Sequence, residues 1–145
     1  MAIKIQQAGE FTGFEQVIRF QEDSSGLRGF LAIHSTRLGP ALGGVRLKAY
    51  ASDADAIEDV LKLSRGMTYK CALAELPAGG GKAVILDHAG MVRDAAFRAF
   101  GELVESFEGR YRTGPDVGIH DEDLRNVAKA TRWVADESDP RLGDI

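Results

Sequence analysis

Residues 79–86 read GGGKAVIL, and this stretch decides how the chain folds. Its apolar part, residues 83–86, is short and follows glycine, which is typical of a buried strand. The three glycines lack a Cβ, so a ligand can approach the backbone closely; the alternative is a tight entry into the strand, which the lysine and the apolar run that follow disfavour. Lys82 comes next, and a desolvated lysine can lose its proton readily enough to act as a base. The stretch therefore predicts a core strand that carries a functional lysine.

Further strands are predicted on both sides of this one. The apolar runs 17–20 and 29–33 flank a polar turn at residues 22–26, which predicts a β-hairpin. Glycine and proline mark residues 38–44 as a loop, and residues 45–50 follow it as a short strand. We also expect a strand at residues 111–113.

Three helices are predicted from capping and periodicity. Ser52 and Asp55 have the spacing of a capping box, and apolar residues follow at helical intervals until Gly66, which we expect to end the helix. Phenylalanines at helical spacing predict a second helix that ends at Gly109. Asp121 is predicted to cap a third helix.

The order of these elements sets the fold class. Strands alternate with helices after residue 44, which predicts an α/β fold with a mixed, mostly parallel sheet flanked by helices. An antiparallel hairpin opens the chain. We expect residues 1–145 to form one domain, with the polar, turn-forming tail 136–145 at its edge.

Composition excludes several classes of protein. The net charge of −4, without a basic run, argues against a nucleic-acid partner. No stretch approaches eighteen consecutive apolar residues, and the amino terminus lacks the apolar core of a signal peptide, so we expect neither a membrane span nor export. Cys71 stands alone, which predicts neither a disulfide nor a metal site and suits a reducing cytoplasm.

The glycine-rich stretch does not match the nucleotide-binding motifs. A P-loop needs glycine six residues before the lysine and Ser or Thr after it, but Leu76 and Ala83 occupy those positions. The dinucleotide fingerprint fails as well, since Val84 stands where its third glycine belongs. We therefore expect no cofactor-binding residues in this chain.

A second polar cluster follows the strand predicted at 111–113. Ligands of open α/β sheets lie beyond the carboxyl ends of strands, where Asp116 is placed. Together with Lys70 and Lys82 it supplies a carboxylate clamp, a base and a proton relay. Gly43 and Gly44 offer another close approach to the backbone.

Four segments in this order resemble one family. They are LGPALGGVR at 38–46, GMTYK at 66–70, GGGK at 79–82 and PDVG at 115–118. The chain, from about residue 14 to residue 134, resembles the amino-terminal domain of the Glu/Leu/Phe/Val dehydrogenases. That resemblance implies oxidative deamination of an L-amino acid to a 2-oxo acid and ammonia, with hydride passed to NAD.

The resemblance also implies two catalytic roles. Lys82 would be the low-pKa base that activates the water attacking the imine carbon. Asp116 would exchange protons with the amino group and the departing ammonia. The charge of Lys70 and partial burial both favour a low pKa for Lys82.

Substrate-binding roles are implied in the same way. Lys70 would pair with the substrate carboxylate, helped by Gly43 and Gly44 and flanked by Met67. Glutamate-specific relatives have a lysine just before the glycine pair, where this chain has Leu42. An acidic side chain is therefore disfavoured, and the branched-chain or aromatic branch is favoured.

Other positions refine or depart from the family pattern. Gly114 stands where leucine-specific relatives have alanine, which leaves room for a larger substrate. Cys71 replaces a usual asparagine, and Pro115 replaces a common glutamate before the aspartate. The first change affects a supporting hydrogen bond, and the second affects how Asp116 is aimed.

The family's NAD-binding Rossmann domain has no counterpart in the sequence. We therefore expect the chain to need such a domain, in cis or in trans, and to be inactive alone. The resemblance further implies a homo-oligomer, with contacts that include the hairpin. The alternative is a stand-alone dimerisation or amino-acid-binding module that has lost redox chemistry.

Overall fold

The computed structural model describes residues 3–135, which form one mixed sheet with helices on both faces. The strands are β1 (Lys4–Gln7), β2 (Gln16–Glu22), β3 (Leu27–Ser35), β4 (Ala41–Leu42), β5 (Val45–Lys48), β6 (Gly79–Leu86) and β7 (Tyr111–Arg112). The helices are α1 (Asp53–Leu73), α2 (Arg93–Ser106) and α3 (Asp121–Ala128).

Strand β6, the glycine-rich stretch, lies at the centre of the sheet. The sheet runs β1-β2-β3-β6-β4-β7, and β5 also pairs with β6. The pairs β1–β2, β2–β3 and β3–β6 are antiparallel, whereas β4–β6, β4–β7 and β5–β6 are parallel. The predicted α/β fold, mixed sheet and opening hairpin are confirmed. The prediction that the sheet is mostly parallel was wrong, since three of the pairings described above are antiparallel and three are parallel.

Strands β4 and β5 lie end to end along the same edge of β6. β4 pairs with the first two residues of β6 and β5 with its last four. Gly43 and Gly44 fill the gap between them, beside Gly81 and Lys82. A Cβ on Gly43 would lie 1.5 Å from the carbonyl oxygen of Gly81, so only glycine fits at this position. The interruption thus brings backbone close to Lys82.

The helices bury the two faces of the sheet separately. Helix α1 packs over one face, where Ala56 and Val60 meet Val84 and Phe30. Helix α2 lies on the other face, in a larger core whose aromatic members are Phe20, Phe97, Phe100 and Tyr111. Because side chains alternate along a strand, Lys82 and Val84 project toward the same helix, α1.

Helix α1 passes through Gly66, so the prediction that Gly66 ends it was wrong. The helix continues to Leu73, and Glu75 follows it with φ 56°. Glycine inside a helix costs only about 1 kcal/mol relative to alanine. Packing of α1 against the sheet outweighs that cost, and the helix therefore extends far enough to include Met67 and Lys70.

Glycines 79–81 belong to strand β6 and do not form a loop. A Cβ on Gly80 would lie 2.2 Å from the backbone nitrogen of Thr68 and 2.4 Å from the carbonyl oxygen of Ser64, both in α1. A Cβ on Gly79 would meet the carbonyl oxygen of Ser35 at 1.8 Å. The space left by these two missing side chains is filled by the chain's own backbone. The glycines therefore serve close packing of the strand, and not the approach of a ligand.

One further expectation was wrong, one strand was not predicted, and one prediction is not tested. His120, not Asp121, is the N-cap of α3, since the side chain of Asp123 accepts a hydrogen bond from the His120 backbone N–H at 2.8 Å. Strand β1 was not predicted; it has only four residues, and all four are exposed. The predicted tail 136–145 lies outside the described residues.

Asp123 also joins α3 to α2 through an ion pair with Arg93. Its nearly buried carboxylate accepts two hydrogen bonds from Arg93, at 2.8 and 2.6 Å. Burial alone would raise the pKa of Asp123, but the hydrogen bonds from Arg93 and from the His120 N–H hold that pKa below its usual range. Arg93 also donates to the carbonyl oxygen of Gly118 at 2.9 Å, which ties the loop after β7 to this pair.

We expect Asp123→Asn to reduce the loss of stability on acidification. A carboxylate with a lowered folded-state pKa contributes stability above its unfolded-state pKa of about 3.9, and that stability is lost as the pH falls through the folded-state pKa. Urea unfolding at pH 7 and pH 3 should therefore show a smaller difference in Asp123→Asn than in wild type. Asp121→Asn, which removes an exposed carboxylate from the same turn, is the control. Equal effects of the two variants would contradict the account.

Candidate active site

Lys82 is a nearly buried amine in the middle of the central strand. Its side chain is 7% exposed, and it lies between Gly80 and Val84 on the face that α1 covers. Strand pairing on both sides holds its backbone, with β3 at Ala32 and β5 from Ala83 onward. The amine is therefore carried by one of the most constrained parts of the fold.

Asp116 reaches Lys82 from the loop that follows β7. The loop runs along β5, because the Val45 N–H donates to the carbonyl oxygen of Gly114 at 2.9 Å and the Leu47 N–H donates to that of Val117 at 3.0 Å. These hydrogen bonds place Asp116 opposite the middle of β5. The strand-end position predicted for Asp116 is thus observed, and neighbouring backbone fixes it.

The two predicted catalytic groups meet in a cluster of charges. The Nζ atom of Lys82 lies 3.3 Å from one carboxylate oxygen of Asp116, Oδ1. The other oxygen, Oδ2, accepts a hydrogen bond from Nε of Arg46 at 2.6 Å. Arg46 also donates from a terminal nitrogen to Asp59 at 3.2 Å, and the Tyr50 hydroxyl donates to the same Asp59 oxygen at 2.5 Å.

Burial makes Lys82 a better base than an ordinary lysine. Desolvation lowers its pKa because the ammonium form loses its hydration. The carboxylate of Asp116 acts in the opposite direction, and the positive charges of Arg46 and Lys70 lower the pKa again. The net result is a pKa for Lys82 below its usual value.

Asp116 remains ionised beside this amine. Burial alone would raise the pKa of Asp116, but the hydrogen bond from Arg46 and the charge of Lys82 hold that pKa below its usual range. A carboxylate that stays ionised next to a readily deprotonated amine can pass protons between that amine and a third group. The pair has the chemistry of a proton relay.

Lys70 and Met67 come from the last turns of α1. Lys70 is exposed, yet its charge lowers the pKa of Lys82, so the two ammonium groups lie near enough to influence each other. Met67 is half-buried against Leu42 and Cys71. Helix α1 therefore carries an exposed cation whose charge acts on Lys82, one turn from the apolar cluster that contains Met67.

The remaining predicted substrate residues lie in or just after strands β4 and β7. Leu42 is almost fully buried and projects toward α1, and Gly114 is buried at the end of β7. Gly43 uses both of its backbone groups within the fold, because its N–H donates to Arg112 and its carbonyl accepts from Tyr111. A Cβ on Gly44 would meet the carbonyl oxygen of Pro115 at 2.2 Å. Close packing within the chain thus already accounts for both glycines of the pair.

Sequence analysis assigned no role to three polar residues that adjoin the Lys82–Asp116 pair: Arg46, Asp59 and Tyr50. Arg46 ends one of the four family-like segments. The position of Arg46 carried a usable signal. Arg46 alternates with Val45 and Leu47, which are buried on the α2 side of the sheet, so its side chain projects from the other face, the one that α1 covers. A charged residue at such a position needs a partner.

Comparison with known proteins identifies the family. A sequence model described as the Glu/Leu/Phe/Val dehydrogenase dimerisation domain matches residues 14–139. The chain belongs to the Glu/Leu/Phe/Val dehydrogenase family. The suspected resemblance is confirmed, and the leucine, phenylalanine and valine branch contains similar relatives.

Among those relatives, valine dehydrogenase of Streptomyces virginiae is 49% identical over 127 residues, which cover 87% of this chain and 36% of the relative. Phenylalanine dehydrogenase of Lysinibacillus sphaericus is 49% identical over 121 residues, covering 83% and 32%. The chain thus spans about a third of the length of the curated relatives that it matches.

Solved structures agree on the fold. L-tryptophan dehydrogenase from Nostoc punctiforme superposes with a TM-score of 0.81 at 44% identity, covering 84% of this chain and 37% of that one. A hetero-hexameric glutamate dehydrogenase from Thermus thermophilus superposes with a TM-score of 0.63 at 20% identity, covering 89% and 30%. The second likeness shows the fold alone.

The glycine-rich segment of this chain does not have the geometry of a dinucleotide-binding turn. It is a strand paired on both edges, not a turn that opens a helix N-terminus toward a phosphate. Within residues 3–135, no group of three or more His, Cys, Asp or Glu side chains is placed to hold a metal ion. No helix in that range is long and apolar enough to cross a membrane.

Proposed function

We propose that this chain is the substrate-binding and oligomerising part of an NAD-dependent dehydrogenase that deaminates an L-amino acid. The observation that supports the proposal is the Lys82–Asp116 pair, a nearly buried amine 3.3 Å from a carboxylate that Arg46 holds ionised. Lys70 adds an exposed cation whose charge acts on Lys82. Family membership supports the reaction class, and the charges support the division of roles.

Each residue then has one task in the reaction. Lys70 pairs with the carboxylate of the amino acid and fixes the α-carbon at the edge of the site. Lys82 takes a proton from the water that attacks the imine carbon, a role that its lowered pKa favours. Asp116 exchanges protons with the substrate nitrogen and with the departing ammonia. Gly43 and Gly44, which admit the backbone of Gly81 and Pro115, hold the chain in place beside Lys82 where the substrate binds.

Oxidation of the amino acid also needs a hydride acceptor. NAD supplies that chemistry in our proposal, and residues 3–135 do not hold it. A Rossmann domain, attached in cis or supplied in trans, must therefore face this site. We further propose a homo-oligomer in the cytoplasm, and the description of the matched family domain as a dimerisation domain supports the oligomer.

The preferred substrate has a branched-chain or aromatic side chain. Leu42 occupies the position before the glycine pair and lies in an apolar cluster with Met67, Cys71 and Ala78. A glutamate side chain would bury its second carboxylate there without a cation, which is costly. The relatives that act on valine, phenylalanine and tryptophan fit this view. At Gly114, the carbonyl oxygen of Ala135 lies 3.1 Å from the position of a Cβ, so the chain itself takes up part of the space beside this glycine.

A non-catalytic amino-acid-binding or dimerisation module is the second candidate. The observation that favours it is that the glycine-rich segment is a paired strand and not a phosphate-binding turn. NADH formation separates the two candidates when L-leucine, L-phenylalanine and L-glutamate are offered to the chain alone and to the chain with a nicotinamide-binding segment. Turnover of leucine or phenylalanine with that segment supports the dehydrogenase. Amino-acid binding without turnover in either case supports the module.

We expect Lys70→Met to raise KM for the amino acid about 10- to 100-fold, since a hydrogen bond to a charged group contributes about 1.5–3 kcal/mol. The value of kcat should change less, because Lys70 binds a part of the substrate that does not react. Steady-state kinetics of the assembled dehydrogenase measures both constants. Lys70→Arg keeps the charge and should recover part of the affinity. A fall in kcat at unchanged KM would show that Lys70 does not bind the substrate carboxylate.

A further inference from the structure

Arg46 lies between two carboxylates that come from opposite sides of the site. Its Nε donates to Asp116 at 2.6 Å and a terminal nitrogen approaches Asp59 at 3.2 Å. Its side chain is 19% exposed, so the guanidinium is mostly withdrawn from water. A guanidinium is planar and keeps its charge at every relevant pH, which suits it to hold two acids in a fixed arrangement.

We propose that Arg46 is the positioning residue that keeps Lys82 available as a base, by occupying one oxygen of Asp116 and sharing its charge. The inference rests on the proposed function, in which Lys82 takes a proton from water. Arg46 touches neither of the reacting atoms in that scheme. It acts through Asp116.

The two carboxylate oxygens of Asp116 have different partners, and Arg46 is the closer one. Oδ2 makes the short contact of 2.6 Å with Arg46, and Oδ1 makes the longer one of 3.3 Å with Lys82. A charge-assisted N–H···O hydrogen bond has a donor–acceptor distance of about 2.7–2.9 Å, so Arg46 is the closer partner of the carboxylate. Lys82 is left with the weaker half of the interaction.

The charges around Lys82 determine the direction of the effect. Asp116 faces it from the loop after β7, Arg46 from β5 and Lys70 from α1. Asp116 favours the ammonium form, and the two cations disfavour it. Without Arg46, the full charge of Asp116 would act on Lys82, and a repelling cation would also be gone. Both changes stabilise the ammonium form of Lys82 and raise its pKa.

The far side of Arg46 is fixed by a second acid. Asp59 projects from α1, and the Tyr50 hydroxyl donates to the oxygen that faces Arg46. Burial raises the pKa of Tyr50, and the hydrogen bond to Asp59 and the negative charge of Asp59 raise it further. The phenol therefore stays protonated and acts as a donor. The arrangement connects the helix that carries Lys70 to the strand beside Lys82.

Titration of Lys82 by NMR tests the inference on the full 145-residue chain, without a cofactor. The 13Cε signal of Lys82, assigned by its loss in Lys82→Ala, is followed against pH in wild type and in Arg46→Gln. We expect the midpoint to rise by about one pH unit or more, as for removal of one close charge interaction. Arg19→Gln removes another part-buried arginine–aspartate pair, with Asp53, and should leave the midpoint in place.

A double-mutant cycle asks whether Arg46 acts through Asp116. The shift caused by Arg46→Gln should fall to less than half in an Asp116→Asn background. A full shift in that background, or no shift in folded Arg46→Gln, would overturn the inference. In the assembled dehydrogenase, the acidic limb of the pH–kcat profile should move with the Lys82 midpoint. If the NMR midpoint moves and the limb does not, the positioning by Arg46 stands and the role of Lys82 as base fails.

Discussion

Lys82→Ala is expected to lower kcat of the assembled dehydrogenase by about 10²- to 10⁴-fold, the usual contribution of a positioned general base. The value of KM should change little, since Lys82 acts on water in this scheme and does not bind the substrate carboxylate. The fold should survive, because Asp116 keeps its hydrogen bond from Arg46. Steady-state NADH formation across pH 6–10 measures the effect.

Lys62→Ala is the matched control, because it removes an exposed lysine from α1. We expect its kcat to equal that of wild type. A folded Lys82→Ala protein with wild-type kcat would show that another group activates the water. A protein that no longer folds would be replaced by Lys82→Met, which keeps most of the buried volume of the side chain.

Gly43→Ala is expected to lower the free energy of unfolding by about 3 kcal/mol or more, as for severe overpacking. The new methyl group would lie 1.5 Å from the carbonyl oxygen of Gly81, a backbone atom of the central strand. Relief of that clash requires β4 or β6 to move, and both are paired on either side. Urea unfolding followed by circular dichroism measures the loss.

Gly66→Ala is the control for this prediction. A Cβ there would meet no atom within 4 Å, and the residue lies inside α1. The substitution should stabilise the protein by about 1 kcal/mol through helix propensity. Equal effects at the two glycines would show that the close approach at Gly43 does not exist in solution.

Much of the fold was accessible from local patterns. The opening hairpin, the buried central strand and the three helices each left a signal of apolar period, cap or turn. The failures have common causes. Gly66 carries a stop signal, but the packing of a long helix against the sheet overrides propensity, and strand β1 lacks any buried residue that would mark it.

The site was predictable in composition and only partly in arrangement. Motifs named Lys82, Asp116 and Lys70; in the structure Lys82 and Asp116 are in contact, and the charge of Lys70 on α1 acts on Lys82. The role of Arg46 depends on β5 lying beside β6 and on the loop 114–118 running along β5, which are long-range pairings that no local pattern specifies. The same holds for Gly43. A side chain is excluded there by the carbonyl oxygen of Gly81, and the whole of helix α1 separates these two residues in the sequence.

The pH at which Lys82 loses its proton in the wild-type chain is the most direct test of the central claim. Burial and the charges of Arg46 and Lys70 outweigh Asp116, so its 13Cε signal should titrate below the ordinary lysine value of about 10.4. The exposed Lys62, followed in the same spectra, is the internal reference. A midpoint for Lys82 at or above that of Lys62 would contradict the account, since the amine would then be held as an ammonium by Asp116 and could not serve as the base.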